Sequence, residues 1–401
     1  MPFKKKLFLI TALLYILYTI FPLFRDTFSI PVWLPSIASL VIMSALYPQA
    51  YTNKTLYWFL AYAFSLILYF MAGLPLTIGI GSIADSKRIL VECANILPCI
   101  SIFSVIVYLN DAELNRRLLK WSVIFLFVSF VVAVPLMLRF NSLREAMNEE
   151  NHEEIIIAGL PSYALMHAYT LFLPVLCYCV KVLKGRSRVL AMIGLVVMCF
   201  VVYDTFVTTS LILMILILLF TFLLSERKGM GKWFAVFFLS IVFFLLYQSG
   251  FFVTIIDLVM PAFEGTAVEP KLLDMKESMM QGYVTGDSLT GRQDYHGMSI
   301  NSFFSNPLFG GGMAGGHSSL LDRLGGMGLV AGLPFIMIFV SFFKRMIRIY
   351  KTTMAKEFFV VGFIVAFVYL INKGNWGGES WLLLMVLLPF GLLVAENSAQ
   401  N

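Results

Sequence analysis

The sequence predicts an all-α polytopic membrane protein with about twelve transmembrane helices, and three observations carry that prediction. Of its 401 residues 60% are hydrophobic and 13% charged, far more apolar surface than one soluble core can bury. The apolar residues come in long unbroken blocks such as "LFLITALLYILYTIFPLF" and "SLILMILILLFTFLL", close to the roughly 20 residues that cross a hydrocarbon core of about 30 Å. These blocks also lack the period-2 alternation of a membrane barrel, the only other structure that satisfies its backbone groups in lipid.

The first span, 7–24, follows "MPFKKK". Its length, and the lack of a small-residue cleavage pattern in "FRDTFSIPVW", make it an uncleaved helix rather than a secretory leader. Spans at 30–47, 57–78, 89–109 and 119–138 are further runs of Leu, Ile, Val and Phe. After the acidic stretch "RFNSLREAMNEENHEEIIIAG" the pattern resumes at 161–180, 189–204, 208–224 and 233–253. A long polar segment, 254–327, precedes the last spans at 328–343, 358–372 and 381–396. We read residues 1–401 as a single transmembrane domain, with 254–327 as one outward loop carrying short helices.

Charge sets the orientation. With the amino terminus inside, both termini, the loop with Lys54 and the basic stretches "RRLLK", "KVLKGRSR", "ERKGMGK" and "KRMIRIYKTTMAK" fall in the cytoplasm and carry 19 of the 29 Lys and Arg residues. Only 5 of the 23 acidic residues join them. A net charge of +6 distributed this way points to the membrane, not to nucleic acid. The five cysteines lie inside apolar runs, which argues for buried thiols rather than disulfides or a metal cluster.

The outward side holds the unusual chemistry, and all four histidines, His152, His167, His296 and His317, lie on it or at its edge. "NPLFGGGMAGGHSSLLDRLGGMGL", 306–329, is a glycine-rich turn in a chain otherwise built of large apolar residues. Asn306-Pro307 ends a helical stretch, because a residue before proline avoids the α region. The glycines that follow, Gly311 and Gly312 among them, allow a tight turn or close approach to a ligand. Ser318 and Ser319 are suited to cap the next helix, whose start would attract an anion through its amide donors. Arg292 and Arg323 are the cations placed to reinforce such a site, Arg323 equally suited to pairing with Asp322. His317 is the general-base candidate, with an ordinary pKa of about 6.5, and equally a structural histidine at the helix start. The spacing of His296 and His317 does not resemble a metal site. "PKLLDMKESMM" reads as an amphipathic helix on a surface or in the lipid interface.

"TGRQDYHGMSINSFFSNPLFGGGMAGGHSSLLDRLGGMGLVAGLPF" resembles the signature region of the O-antigen polymerase and ligase superfamily: a Gly-Arg pair, a short helix, an "NPLFG-G" turn, then His-Ser before a Leu- and Gly-rich helix. The resemblance implies a GT-C-like fold and a metal-independent, cofactor-free glycosyltransferase at the periplasmic face of a bacterial inner membrane. Its donor and acceptor would be undecaprenyl-diphosphate-linked oligosaccharides, and its partners membrane lipid and a chain-length regulator. In the polymerase branch repeat units are joined into O-antigen or capsular polysaccharide; in the ligase branch the glycan is delivered to lipid A-core. Carried onto this chain, Arg292 would hold the diphosphate and His317 would deprotonate or orient the acceptor hydroxyl. Tyr295, His296, Ser318, Arg323, Gly311 and Gly312 would surround the substrate.

One departure stands out: many members carry a Ser-Arg pair at the start of an earlier span, whereas here Leu211 follows Ser210. Arg88 and Arg139, at the outer ends of the fourth and fifth spans, are the substitutes for that second arginine, though snorkelling would also place them there. His167, with Tyr163 and Tyr169, would line the lipid cleft or simply pack. Trp376 would stack on a sugar or belong to an interfacial aromatic belt. A carrier is disfavoured: Glu92 and Asp204 are the only acidic residues near span interiors, and the two halves show no convincing similarity.

Overall fold

The computed structural model describes residues 1–21, 33–73, 77–78, 86–137, 163–204, 208–224, 250–265, 290–372 and 376–400, with isolated positions between 269 and 276. In chain order the elements are α1 (Phe3–Ile20), α2 (Trp33–Leu46), a 3₁₀ turn (Pro48–Tyr51), α3 (Lys54–Met71), β1 (Thr77–Ile78), α4 (Ser86–Leu109) and α5 (Ala112–Met137). Next come α6 (Tyr163–Val182), α7 (Gly185–Asp204), α8 (Thr208–Leu219) with a π turn (Phe220–Leu224), and α9 (Phe251–Val259) with a 3₁₀ turn (Met260–Phe263). The chain finishes with α10 (Thr290–Ser305), β2 (Met313–Ala314), α11 (Ser319–Ile349), α12 (Thr353–Asn372), α13 (Gly378–Leu382), a π turn (Leu383–Leu387) and α14 (Leu388–Gln400).

Five stretches, Lys54–Met71, Gly185–Tyr203, Ser319–Ile349, Thr353–Asn372 and Gly378–Ala399, are long and apolar enough to cross a membrane, and shorter apolar helices pack among them. Leu14, Phe64, Leu190 and Val196 turn large apolar side chains outward from these helices, as lipid-facing surfaces require. The protein is an all-α multi-pass membrane protein; among the described residues its only strands are β1 and β2.

Hydrogen bonds sort the helix ends into two groups. At one end Lys5 bonds Asp111, Asn53 Nδ2 donates to Ser104 Oγ at 2.8 Å, Ser341 Oγ donates to Thr55 Oγ1 at 3.2 Å, and Glu396 accepts from the Thr352 N–H at 2.6 Å. At the other, Ser129 Oγ donates to the Ile20 carbonyl at 3.1 Å, Tyr69 Oη to the Phe309 carbonyl at 2.6 Å and Ser318 Oγ to the Leu370 carbonyl at 3.3 Å. The first group joins segments that the charge distribution assigns to one side of the membrane, and the second joins the remainder.

The centre of the bundle is the rod formed by α13, its π turn and α14, which is almost wholly buried against α1, α4, α5, α6 and α12. Pro389 has no N–H for a bond one turn back, and the ladder widens immediately before it. Trp381 lies at the core, stacked on Phe339 with ring centroids 4.9 Å apart. A buried carboxylate stands near each end of the rod, Glu379 and Glu396.

Sequence periodicity misjudged several span ends. The third span, expected to run to 78, stops at Met71, because Gly73 takes a left-handed φ of 62° that terminates a helix and Pro75 follows. Residues 77–78 form β1 instead. The fifth begins at Ala112 rather than 119, since the polar first turns, with Glu113 bonded to Arg117 at 2.7 Å, extend it beyond its apolar block. The tenth extends to Ser319–Ile349, broken at Gly328. Most of the ninth, 233–253, and most of "PKLLDMKESMM" lie outside the described residues.

Candidate active site

The glycine-rich segment docks on one face of α10. Tyr295, Ser299 and Ser302 recur at i, i+4 and i+7, so they share that face. Ser299 Oγ accepts from the Gly315 N–H at 2.9 Å, and Ser302 Oγ accepts from the Met313 N–H at 3.1 Å while donating to the Gly325 carbonyl at 2.9 Å. Beyond α10, Asn306 closes the turn: its carbonyl accepts from the Gly310 N–H at 2.7 Å and its Oδ1 from the Phe309 N–H at 3.2 Å. Residues 313–314 then pair in parallel with β1, Thr77 opposite Met313 and Ile78 opposite Ala314. Gly315 is required by the docking itself, because a Cβ there would lie 2.6 Å from the Tyr295 carbonyl carbon and closer still to its oxygen.

Ser318 caps α11 as its sequence suggests, accepting from the Leu321 N–H at 3.0 Å. The Ser318 N–H in turn donates to Asp322 Oδ2 at 3.0 Å, and Ser299 Oγ donates to Asp322 Oδ1 at 2.8 Å. A carboxylate of the protein itself thus sits at this helix start.

Gly328 breaks α11 into 319–327 and 329–349, with φ 58° and ψ −155°. The backbone groups around the break find partners in the glycine segment and in α3. The Leu329 and Val330 N–H groups donate to the Pro307 and Leu308 carbonyls at 2.8 and 3.1 Å. The Gly325 carbonyl also accepts from the Gly311 N–H at 3.0 Å, and the single Tyr69 O–H is shared between the Met327 and Phe309 carbonyls, 2.7 and 2.6 Å away.

His317 is exposed at the rim of this assembly, its ring 4.4 Å from that of Tyr295 and tilted by 35°. Arg292 lies in the first turn of α10, three residues before Tyr295, the spacing that shares a helix face. Position 292 therefore precedes by one helical turn the ring that His317 meets. Arg88 stands in the first turn of α4, at the end of the bundle that carries the hairpin. Arg139 lies outside the described residues, as do His152 and Lys373.

Arg323 is bound into the fold. Its Nε donates to Tyr62 Oη at 2.9 Å, it bonds the Ser319 carbonyl, and its guanidinium stands 4.2 Å from the Phe335 ring centroid. Asp322 bonds Ser299 and Ser318. His296 is half-buried with Nε2 unbonded. Gly311 packs on Ser302 and Ser305, and Gly312 has φ 76°. His167 is buried behind the hairpin, its ring 4.6 Å from that of Tyr369 and its Nδ1 3.4 Å from Ser210 Oγ, which is 2.8 Å from Tyr369 Oη. Trp376 is buried edge-on to Trp381, 6.1 Å between centroids, with its indole N–H unbonded.

Sequence reasoning passed over Ser299 and Tyr69, and placed Asp322 only beside Arg323; all three fix the glycine-rich segment. The serine face of α10 was readable from its spacing; the reach of Tyr69 across 240 residues was not. What the arrangement offers chemically is an exposed imidazole on an aromatic ring, at the capped start of a helix and beside the first turn of another that carries an arginine. No family model matches the chain, and no curated protein matches it either.

Proposed function

We propose that this protein is a membrane-embedded glycosyltransferase of the O-antigen polymerase and ligase superfamily, with about twelve spans and a GT-C-like fold, and that it polymerises undecaprenyl-diphosphate-linked repeat units at the periplasmic face of a bacterial inner membrane. The observation that carries the reading is the contact between His317 and Tyr295, one turn from Arg292, at the end of the bundle opposite the basic helix ends. In the reaction the acceptor hydroxyl oxygen bonds to the anomeric carbon of the donor, whose bond to the diphosphate oxygen breaks. The lipid diphosphate leaves with the electron pair, and the hydroxyl proton passes to the His317 imidazole. Fixed positive charge from Arg292 stabilises the leaving diphosphate, the larger contribution, while proton removal adds about 10²–10⁴-fold.

The test is glycan length in a deletion strain complemented with His317→Ala or Arg292→Ala. Both variants should insert normally and lose elongation; a normal ladder from both overturns the proposal. Single repeat units on lipid A in the deletion strain fit a lost polymerase, whereas full-length chains stranded on undecaprenyl diphosphate fit a lost ligase.

A further inference from the structure

The end of α3 opposite the glycine-rich segment opens into a cavity of about 790 Å³, between the start of α3, the end of α4 and the second half of α11. Lys54 and Tyr69 are fifteen residues apart on α3, about 22 Å at 1.5 Å per residue, so this cavity is distinct from the candidate active site. Four cations line it, Lys54, Lys344, Arg345 and Arg348, and among the described residues no carboxylate does. None of the four forms an ion pair among the described residues. Trp58 forms part of the wall, and Val107, Met337 and Val340 make an apolar side to the same space.

Ordinary surface electrostatics accounts for only part of this. Arg348, in the last turn of α11, compensates the negative end of a helix dipole, and basic residues favour the cytoplasmic side. Lys54 is the first residue of α3, where the helix dipole disfavours a cation, and it shares one cavity with three others. The walls are fixed. Asn53 caps α3, accepting from the Leu56 N–H at 3.0 Å, and bonds Ser104 of α4; Ser341 of α11 bonds Thr55; and Arg345 lies 5.7 Å from the Phe103 ring centroid. Like charges held together in a preformed, partly apolar cavity repel one another unless an anion joins them.

We infer that this cavity binds the phosphate-bearing headgroup of an anionic membrane phospholipid, with its glycerol and upper acyl carbons against the apolar wall. Phosphate oxygens match the guanidinium forks and the amide donors at the start of α3, and basic pockets between helices on this side of a membrane suit such headgroups. The apolar wall distinguishes a lipid from free phosphate. The inference stands apart from the proposed transferase activity, since it concerns the other end of the bundle.

The experiment uses the full-length protein, purified and delipidated in detergent, with native mass spectrometry to count retained lipid. Phosphatidylglycerol should bind roughly tenfold or more tightly than phosphatidylcholine. The double variant Lys54→Glu/Lys344→Glu should abolish that preference. Both side chains are exposed, and Glu at the first position of α3 favours the helix, so folding should persist. Lys120→Glu, an exposed cation away from the cavity, should keep the preference and so separates a site from diffuse attraction. If the double variant fails to fold, Met337→Trp, which fills the apolar side and leaves all four cations, should weaken phosphatidylglycerol binding instead. Equal retention of the two lipids by the natural protein, or unchanged binding in the variants that fold, overturns the inference. Displacement of phosphatidylglycerol by an equal concentration of inorganic phosphate overturns it in favour of a free-anion site.

Discussion

Gly315→Ala probes the candidate active site without touching a reacting group. A methyl at 315 would lie 2.6 Å from the Tyr295 carbonyl carbon, whereas ordinary contact begins near 3.4 Å, so the segment must move off α10 by about 1 Å. That movement stretches the 2.9 Å bond from the Gly315 N–H to Ser299 Oγ and separates His317, two residues on, from the Tyr295 ring. Misplacing a catalytic group by about 1 Å can cost on the order of 10²-fold in rate. The assay is transfer by purified protein between defined undecaprenyl-diphosphate-linked repeat units, beside a melting curve in detergent. Gly297→Ala is the control: the position is also in α10, a Cβ there meets nothing within 4 Å, and the change should stabilise the helix by about 1 kcal/mol. If Gly315→Ala transfers sugar within about threefold of the natural protein, the docking of 313–317 on α10 does not set the catalytic geometry.

Asp111 connects the α4–α5 turn to the amino terminus. Its bond to Lys5, with the Leu114 and Glu113 N–H groups, holds its carboxyl below the usual range, so its contribution is present above the ordinary Asp pKa and lost as pH falls through the depressed one. Asp111→Asn keeps the helix cap and loses the charge; its melting temperature should fall slightly below that of the natural protein near neutrality, by less than about 1 kcal/mol of stability, and the two should converge in acid. A gap that widens in acid would contradict this sign. Glu396→Ala removes the acceptor for the Thr352 and Lys351 N–H groups, 2.6 and 3.3 Å away, at the start of α12. Leaving those donors unpaired should cost about 1–3 kcal/mol, measured by thermal unfolding in detergent.

All twelve apolar blocks overlap a described helix, the ninth only at 251–253, because blocks of that length leave the backbone no other way to satisfy itself in lipid. Their ends were harder to read: Gly73 ends α3 by its φ, while the first turns of α5 are helical despite being polar. The turn after Asn306 and the cap at Ser318 were legible because both are local chemistry. Partners distant in sequence were not. Arg323 meets Tyr62, 261 residues away, and Phe335, contacts that no local pattern announces. Trp376 packs on Trp381, a contact that neither its spacing nor its neighbours announce.

The broken helix explains why so apolar a chain contains so polar an insert. Around Gly328 two N–H groups, of Leu329 and Val330, and two carbonyls, of Gly325 and Met327, bond outside the helix. Left unpaired in an apolar surrounding, such groups cost several kcal/mol each, on the order of 10 kcal/mol together, comparable to the whole stability of a typical domain. The 306–311 turn, Ser302 and Tyr69 supply the missing partners, and only glycines let the two backbones come close enough, as Gly328 against Leu308 and Gly310 against Gly326 show. The same segment then continues through 313–315 to His317. The break in α11 and the position of the imidazole are therefore set by one docking event, and a change that loosens the plug at Gly328 should displace His317 without any substitution near it.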